Sequence, residues 1–299
     1  MAELATPIRP TAAARVRRWG ASLGLLSPAL ALMLLSFVAP LILFFQYSFL
    51  TFKEGKLYDV YSLGAYVKFF TDPFYYKIIG NSVKLSGVVT CFTLLIGYPL
   101  AYALTRVRHP GLKKWLGVVI FSPMVVSVVV RTYGWMILLS DQGVINWLLL
   151  RLRIISEPLH LVFNMTGVVI SLTHIFLPFV VFPIYSVLTK LDASLKEAAS
   201  DLGAGWLTTF RRVTFPLSLP GVAAGGQIAF TLCLGSFVTP SLMGGGRLLV
   251  LPLNVYNNTV DINWPMAAVG GMTLLALAMA TVTVFNSLIV KWTKGGVRV

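Results

Sequence analysis

Six long apolar runs constrain this chain more than any other feature. They cover approximately Leu23–Leu50, Leu85–Thr105, Trp115–Leu139, Leu161–Leu188, Leu217–Leu242 and Pro265–Val290. A helix crosses a bilayer core with about 20 apolar residues, and each run reaches that length with some allowance for tilt. Inside lipid an unpaired backbone amide has no water to bond, so only helices and closed barrels span. The ten-residue alternation of a barrel strand is absent from these runs. The predicted fold class is therefore all-α integral membrane, with six transmembrane helices. Composition agrees: 57% of residues are hydrophobic and 11% charged, with a mean hydropathy of +0.82. A soluble domain carries about 25% charged residues, so this chain lacks the charge to cover a water-facing surface.

The formal charge of +14 invites a nucleic-acid reading, but the cations sit in short clusters between apolar runs. That pattern follows the positive-inside rule and not a basic nucleic-acid face. One side gathers fifteen cations: Arg9, Arg15, Arg17, Arg18, Arg106, Arg108, Lys113, Lys114, Lys190, Lys196, Arg211, Arg212, Lys291, Lys294 and Arg298. The other holds seven, Lys53, Lys56, Lys68, Lys77, Arg151, Arg153 and Arg247, offset by Glu54, Asp59, Asp72, Asp141, Glu157 and Asp261. Both termini and the loop 189–216 are expected on the cytoplasmic side. Arg15, Arg17 and Arg18 precede an uncharged stretch from Trp19 to Phe52, longer than a signal peptide's apolar core, so the first run reads as a retained signal anchor.

The expected organisation is a basic N-terminal tail (1–22), then a first membrane helix with an external aromatic segment (23–78). A transmembrane core (79–292) and a short C-terminal tail (293–299) complete it. Residues 51–84 carry Tyr58, Tyr61, Tyr66, Phe69, Phe70, Phe74, Tyr75 and Tyr76, which read as an interfacial belt with a short amphipathic segment. A docking surface for an external partner is the alternative. Cys91 and Cys233 both fall inside apolar runs and read as small buried side chains. His109, His160 and His174 have neither metal-site nor triad spacing. Gly244-Gly245-Gly246 is followed by Arg247-Leu248 and not by Lys-Ser/Thr, so it reads as a tight external turn and not a phosphate loop.

Between the fourth and fifth runs lies the most informative segment, Leu191 to Pro216. Ser194-x-x-Glu197 has the form of a capping box, and Leu195, Ala198, Ala199 and Leu202 share one helical face. Gly203 and Gly205 suit a helix stop, after which a second short helix is expected to carry Trp206, Phe210, Arg211 and Arg212. Pro216 stands near the start of the next span, where a missing amide costs least. A hairpin that exposes small and aromatic residues at a membrane surface is costly unless something covers it. The cover is either the cytoplasmic ends of the chain's own helices or a partner.

The spacing Glu197-Ala198-Ala199-x3-Gly203-x9-Val213-x-Phe215-Pro216 resembles the EAA signature of ABC importer permeases, with Val213 and Phe215 as conservative departures. Further stretches are similar to the first (B-type) permease of spermidine/putrescine importers: Gly97-Tyr-Pro-Leu-Ala-Tyr-Ala-Leu104, Val130-Arg-Thr-Tyr-Gly-Trp135, Leu177-Pro-Phe179 and Phe237-Val-Thr-Pro240-x-Leu-Met-Gly-Gly245. The resemblance implies that Glu197, Ala198, Ala199, Asp201, Leu202, Gly203, Trp206 and Pro216 dock a cytoplasmic ATPase, with Arg211 and Arg212 as supporting contacts. It implies a second, similar permease, two ATPase copies that bind ATP and Mg, and an external solute-binding protein. This chain itself would carry no cofactor and no catalytic site. Polyamines lead the expected substrates, and other importer cargoes (opine-like compounds, amino-acid derivatives, iron) are the alternatives.

Candidate pathway residues are Arg131, Tyr133, Trp135, Asp141, Asn164, Phe237 and Asp261. An intramembrane arginine is a functional hypothesis by default, although at a channel face Arg131 would repel a polycation. Aromatic faces attract alkylammonium groups and carboxylates neutralise them. Two rivals are an ion-coupled secondary transporter and a membrane-embedded enzyme. The first would place acids inside the spans, and none lies within the six runs; the second would need a nucleophile or acid constellation at one depth.

Overall fold

The computed structural model of the chain describes residues 12–296, and their side chains over 26–287. The basic clusters expected in the two terminal tails fall outside the described side chains. Element order is α1 (Ala12–Tyr47), a hairpin of β1 (Leu50–Lys53) and β2 (Lys56–Tyr61), α2 (Gly64–Thr71), α3 (Pro73–Arg106), α4 (Pro110–Phe121), α5 (Val128–Leu139) and α6 (Val144–Arg151). There follow α7 (Met165–Lys190), α8 (Ala193–Asp201), α9 (Trp206–Thr209), α10 (Phe215–Leu234), α11 (Val238–Met243), α12 (Leu251–Val260) and α13 (Trp264–Gly296). Five helical stretches are long and apolar enough to cross a membrane, and a bent pair makes a sixth.

That pair corrects the straight third span expected over Trp115–Leu139. Its halves, Pro110–Met124 and Val128–Arg151, meet at 100°. Pro123 explains the break: it has no N–H to continue the ladder, and Ser122–Met124 tighten into a 3₁₀ turn before α5 restarts at Val128. The fifth span is corrected at both ends. Its helix stops at Leu234 instead of Leu242, with Gly235 as cap, and Val238–Met243 forms the separate short α11. Its start lies earlier, because Trp206 to Leu234 is one continuous helical stretch. The outer aromatic segment contains a β-hairpin that alternation did not reveal, and α3 already begins at Pro73, capped by Asp72.

The core is three helices, α3, α7 and α10. Along α10, Gly221 and Gly225 let the backbone of α7 come close. A Cβ on Gly221 would stand 3.0 Å from Ile184 Cα and Pro183 O, and one on Gly225 3.1 Å from Val180 Cα and O. Small residues four apart allow this approach between membrane helices. Buried Val180, Val181, Ile184 and Ala229 fill the seam. Cys233 is buried in a neighbouring cluster with Leu172 and Phe176, whereas Cys91 is exposed on α3, against expectation.

Candidate functional site

The hairpin between α7 and α10 begins at Asp192. Its carboxylate accepts from Ser194 N at 3.0 Å and caps α8. The cap is therefore Asp192, and the expected capping box on Ser194 does not form, because Ser194 already lies inside the helix. These hydrogen bonds from Ser194 hold the Asp192 carboxyl below its ordinary pKa. At its other end α8 closes as sequence predicted. Gly203 takes φ +76°, Ala204 N donates to Ala199 O at 3.0 Å, and Gly203 N donates to Ser200 O at 2.9 Å. This is the paired bonding of a Schellman stop, and it fixes the angle at which the chain leaves α8.

No residue of α8 is buried. Glu197, Ala198 and Asp201 are exposed and Ala199 half-buried, while Leu202 is 88% and Trp206 66% exposed, with Leu207 open beside them. Leu195 and Leu202, expected on one apolar face, therefore form a surface and not a seam against the chain's own helices. Arg211 and Arg212 are exposed just behind it.

Phe210 holds this surface to the bundle. Its ring meets Tyr102 at 5.4 Å and Tyr98 at 6.0 Å, both edge-on, and stacks with Trp206 at 6.3 Å. Tyr98 also meets Phe215 at 5.5 Å, and its hydroxyl pairs with Ser218 Oγ at 2.9 Å. Residues 210–214 form a π-turn in which Phe215 N reaches back to Phe210 O. The wider turn accommodates Pro216, which cannot donate to the preceding turn. Motion at Trp206 is thereby tied into α10. Sequence reasoning quoted Tyr98 and Tyr102 within a motif but gave them no role; their spacing of four was the available signal.

The pathway candidates form two groups. On α5, Trp135 Nε1 donates to His174 Nδ1 of α7 at 3.2 Å. Arg131, one turn earlier, has Nε and Nη1 buried without a hydrogen-bond partner, and Tyr133 is half-exposed. The Thr132 and Thr239 hydroxyls pair at 3.0 Å and tie α5 to α11, next to Phe237, whose ring stacks on Tyr256 of α12 at 5.0 Å.

In the second group Asp141 sits 3.1 Å from His160 Nδ1 beside a cavity of about 460 Å³. Asn164 caps α7, accepting from Gly167 N at 3.1 Å, and donates to His160 O. Asp261 is exposed at the C-terminal cap of α12, outside both groups. Sequence reasoning passed over Asn146. It is fully buried and bonded to Ser140 O, Leu159 O and Leu159 N at 3.0, 2.9 and 2.8 Å, holding the second group's loop in place.

Residues 88–299 match the family model described as binding-protein-dependent transport system inner membrane component. The chain is 32% identical over 250 residues to a spermidine/putrescine transport system permease protein of Haemophilus influenzae, covering 82% of this chain and 86% of that one. It is 35% identical over 229 residues to the Escherichia coli K12 protein of the same description, covering 76% and 82%. Its fold matches a chain from the crystal structure of a bacterial ABC transporter that imports alginate, with a TM-score of 0.75 at 19% identity over 92% of this chain and 98% of that one. The chain belongs to the family of inner-membrane permease components of binding-protein-dependent ABC importers.

Proposed function

We propose that this chain is one permease half of an ATP-driven importer of spermidine- or putrescine-like polyamines. The observation that carries the coupling role is the hairpin 193–216: an exposed apolar knob, Leu202 with Trp206, continuous with the membrane helix behind it. Water-exposed apolar side chains of this kind call for a partner surface, and the EAA spacing identifies that partner as an ABC ATPase. The polyamine cargo rests on the two spermidine/putrescine permeases above, each covered over more than four-fifths of its length.

The cation asymmetry puts the hairpin and both termini in the cytoplasm. Two copies of the ATPase bind ATP and Mg there and hydrolyse it, while an external solute-binding protein delivers the cargo. A second permease of similar fold lies alongside. Closure of the ATPase pair moves the knob; the Phe210 stack and the stretch Trp206–Leu234 carry that motion to the α3–α7–α10 core. On the outer side, Tyr133 and Phe237 present aromatic faces to an alkylammonium group, and Asp141 and Asp261 supply negative charge on its approach.

Mass spectrometry of the small molecule carried by the solute-binding protein that co-purifies with the complex tests the cargo. A polyamine is expected. A sugar or an inorganic anion there overturns the assignment.

A further inference from the structure

Behind the exposed knob, α8 and the π-turn stand off from the C-terminal end of α3 and enclose a cavity of about 270 Å³. Its wall carries two cations, Arg106 from α3 and Lys196 from α8, and no carboxylate. Arg106 is held in position, with its guanidinium 5.1 Å from the centre of the Tyr102 ring and Nη2 donating to the Tyr102 hydroxyl. Neither cation has an ion-pair partner among the described residues, where His160–Asp141 is the one pair within bonding range. Two positive groups around one concavity, with no acid in its wall, focus a positive potential into it.

The hydroxyls in the wall refine the chemistry. Ser200 Oγ already donates to Lys196 O at 3.0 Å, and Thr209 Oγ1 donates to Gly205 O at 3.2 Å. The Tyr102 hydroxyl accepts from Arg106, so its own proton is free to donate. Among the donors left for a guest are the remaining Arg106 N–H groups, the Lys196 ammonium and the Tyr102 O–H. That set suits an anion with several acceptor oxygens and repels a polyamine, so the cavity is separate from the cargo pathway.

We propose that this cavity binds a phosphate group that bridges the end of α3 to the coupling helix and pins the hairpin against the bundle. An anionic phospholipid headgroup and free phosphate share that chemistry. Basic pockets beside membrane helices hold such headgroups on the cytoplasmic face, which is where the charge pattern places this hairpin. The binding itself depends on neither the cargo nor the direction of transport.

The test uses the intact purified complex in phosphatidylcholine nanodiscs, with hydrogen exchange of α8 as readout. One arm adds phosphatidylglycerol to the discs; the other adds millimolar inorganic phosphate to discs without it. Protection of α8 by phosphatidylglycerol alone supports the site with lipid as its source, and protection by inorganic phosphate supports it with free phosphate. In the double variant Arg106→Gln/Lys196→Gln the protecting anion should bind about tenfold more weakly, as expected for two lost charge-assisted contacts. The charge-conserving Arg106→Lys/Lys196→Arg should retain most of the binding, which separates lost charge from misfolding. Protection by neither anion overturns the proposal, as does protection that the glutamine variant leaves unchanged.

Discussion

Leu202→Ala is the sharpest probe of the coupling knob, because the structure predicts a large effect on docking and almost none on folding. Leu202 is 88% exposed in the isolated chain. Its backbone makes the turn at the end of α8, its side chain buries almost nothing, and exposed substitutions of this kind change stability by within about 0.5 kcal/mol. Once the knob enters a cleft on the ATPase, that side chain leaves water. Trimming leucine to alanine removes three carbons at about 0.8 kcal/mol each. Full burial therefore makes the loss about 2.4 kcal/mol, or about fiftyfold in affinity. The assay is binding of the purified ATPase to the permease pair in nanodiscs, run beside thermal unfolding of the same sample. An affinity within twofold of wild type at unchanged stability would refute the docking role of this surface.

Other perturbations reach different parts of the account. At Gly203 no atom lies within 4 Å of an added Cβ, so a side chain there meets only the cost of its +76° φ, about 1–2 kcal/mol for alanine. Gly203→Ala should cut substrate-stimulated ATP hydrolysis about 5- to 30-fold, with Gly203→Asn, which tolerates that conformation, falling less; equal activity in both would remove the conformational argument. Gly225→Leu drives a side chain into Val180 of α7 and should destabilise the folded complex by about 1–3 kcal/mol, read as a lower melting temperature with the ATPase-binding surface intact in whatever folds. Asp192 has a folded-state pKa below its unfolded one, so its cap contributes fully above the ordinary carboxylate pKa and is lost as pH falls through the lower folded value. The protection factors of the α8 amides, taken relative to intrinsic exchange at each pH, should fall in that acid window, and Asp192→Asn, which keeps an acceptor, should remove that fall.

How much of this was legible in the sequence depended on how local the cause was. The first, fourth and sixth apolar runs and the Gly203 stop each follow from a few neighbouring residues and appear where expected. The break in the third span was equally local, at Pro123, but hydropathy stays high across it and conceals a 100° bend. Gly235 and Pro240 interrupt the fifth apolar run, whose hydropathy stays high enough to read as one helix. The cap went to Asp192, two residues before the expected Ser194, because its carboxylate lies within reach of Ser194 N, and spacing alone does not settle which of two such residues caps the helix. Phe210 is more than a hundred residues from Tyr98 and Tyr102 in sequence, and only packing of α3 against the hairpin makes the three one floor. Likewise Asn146 looks like a stray polar residue in an apolar helix until the loop folds back to Leu159.

The most direct test of the central claim is uptake into proteoliposomes holding the complete complex, with ATP trapped on the ATPase side and solute-binding protein outside. The account predicts polyamine accumulation that requires both ATP and the binding protein and falls with Leu202→Ala in proportion to lost ATPase docking. Accumulation that persists without ATP, driven by an ion gradient, would contradict it.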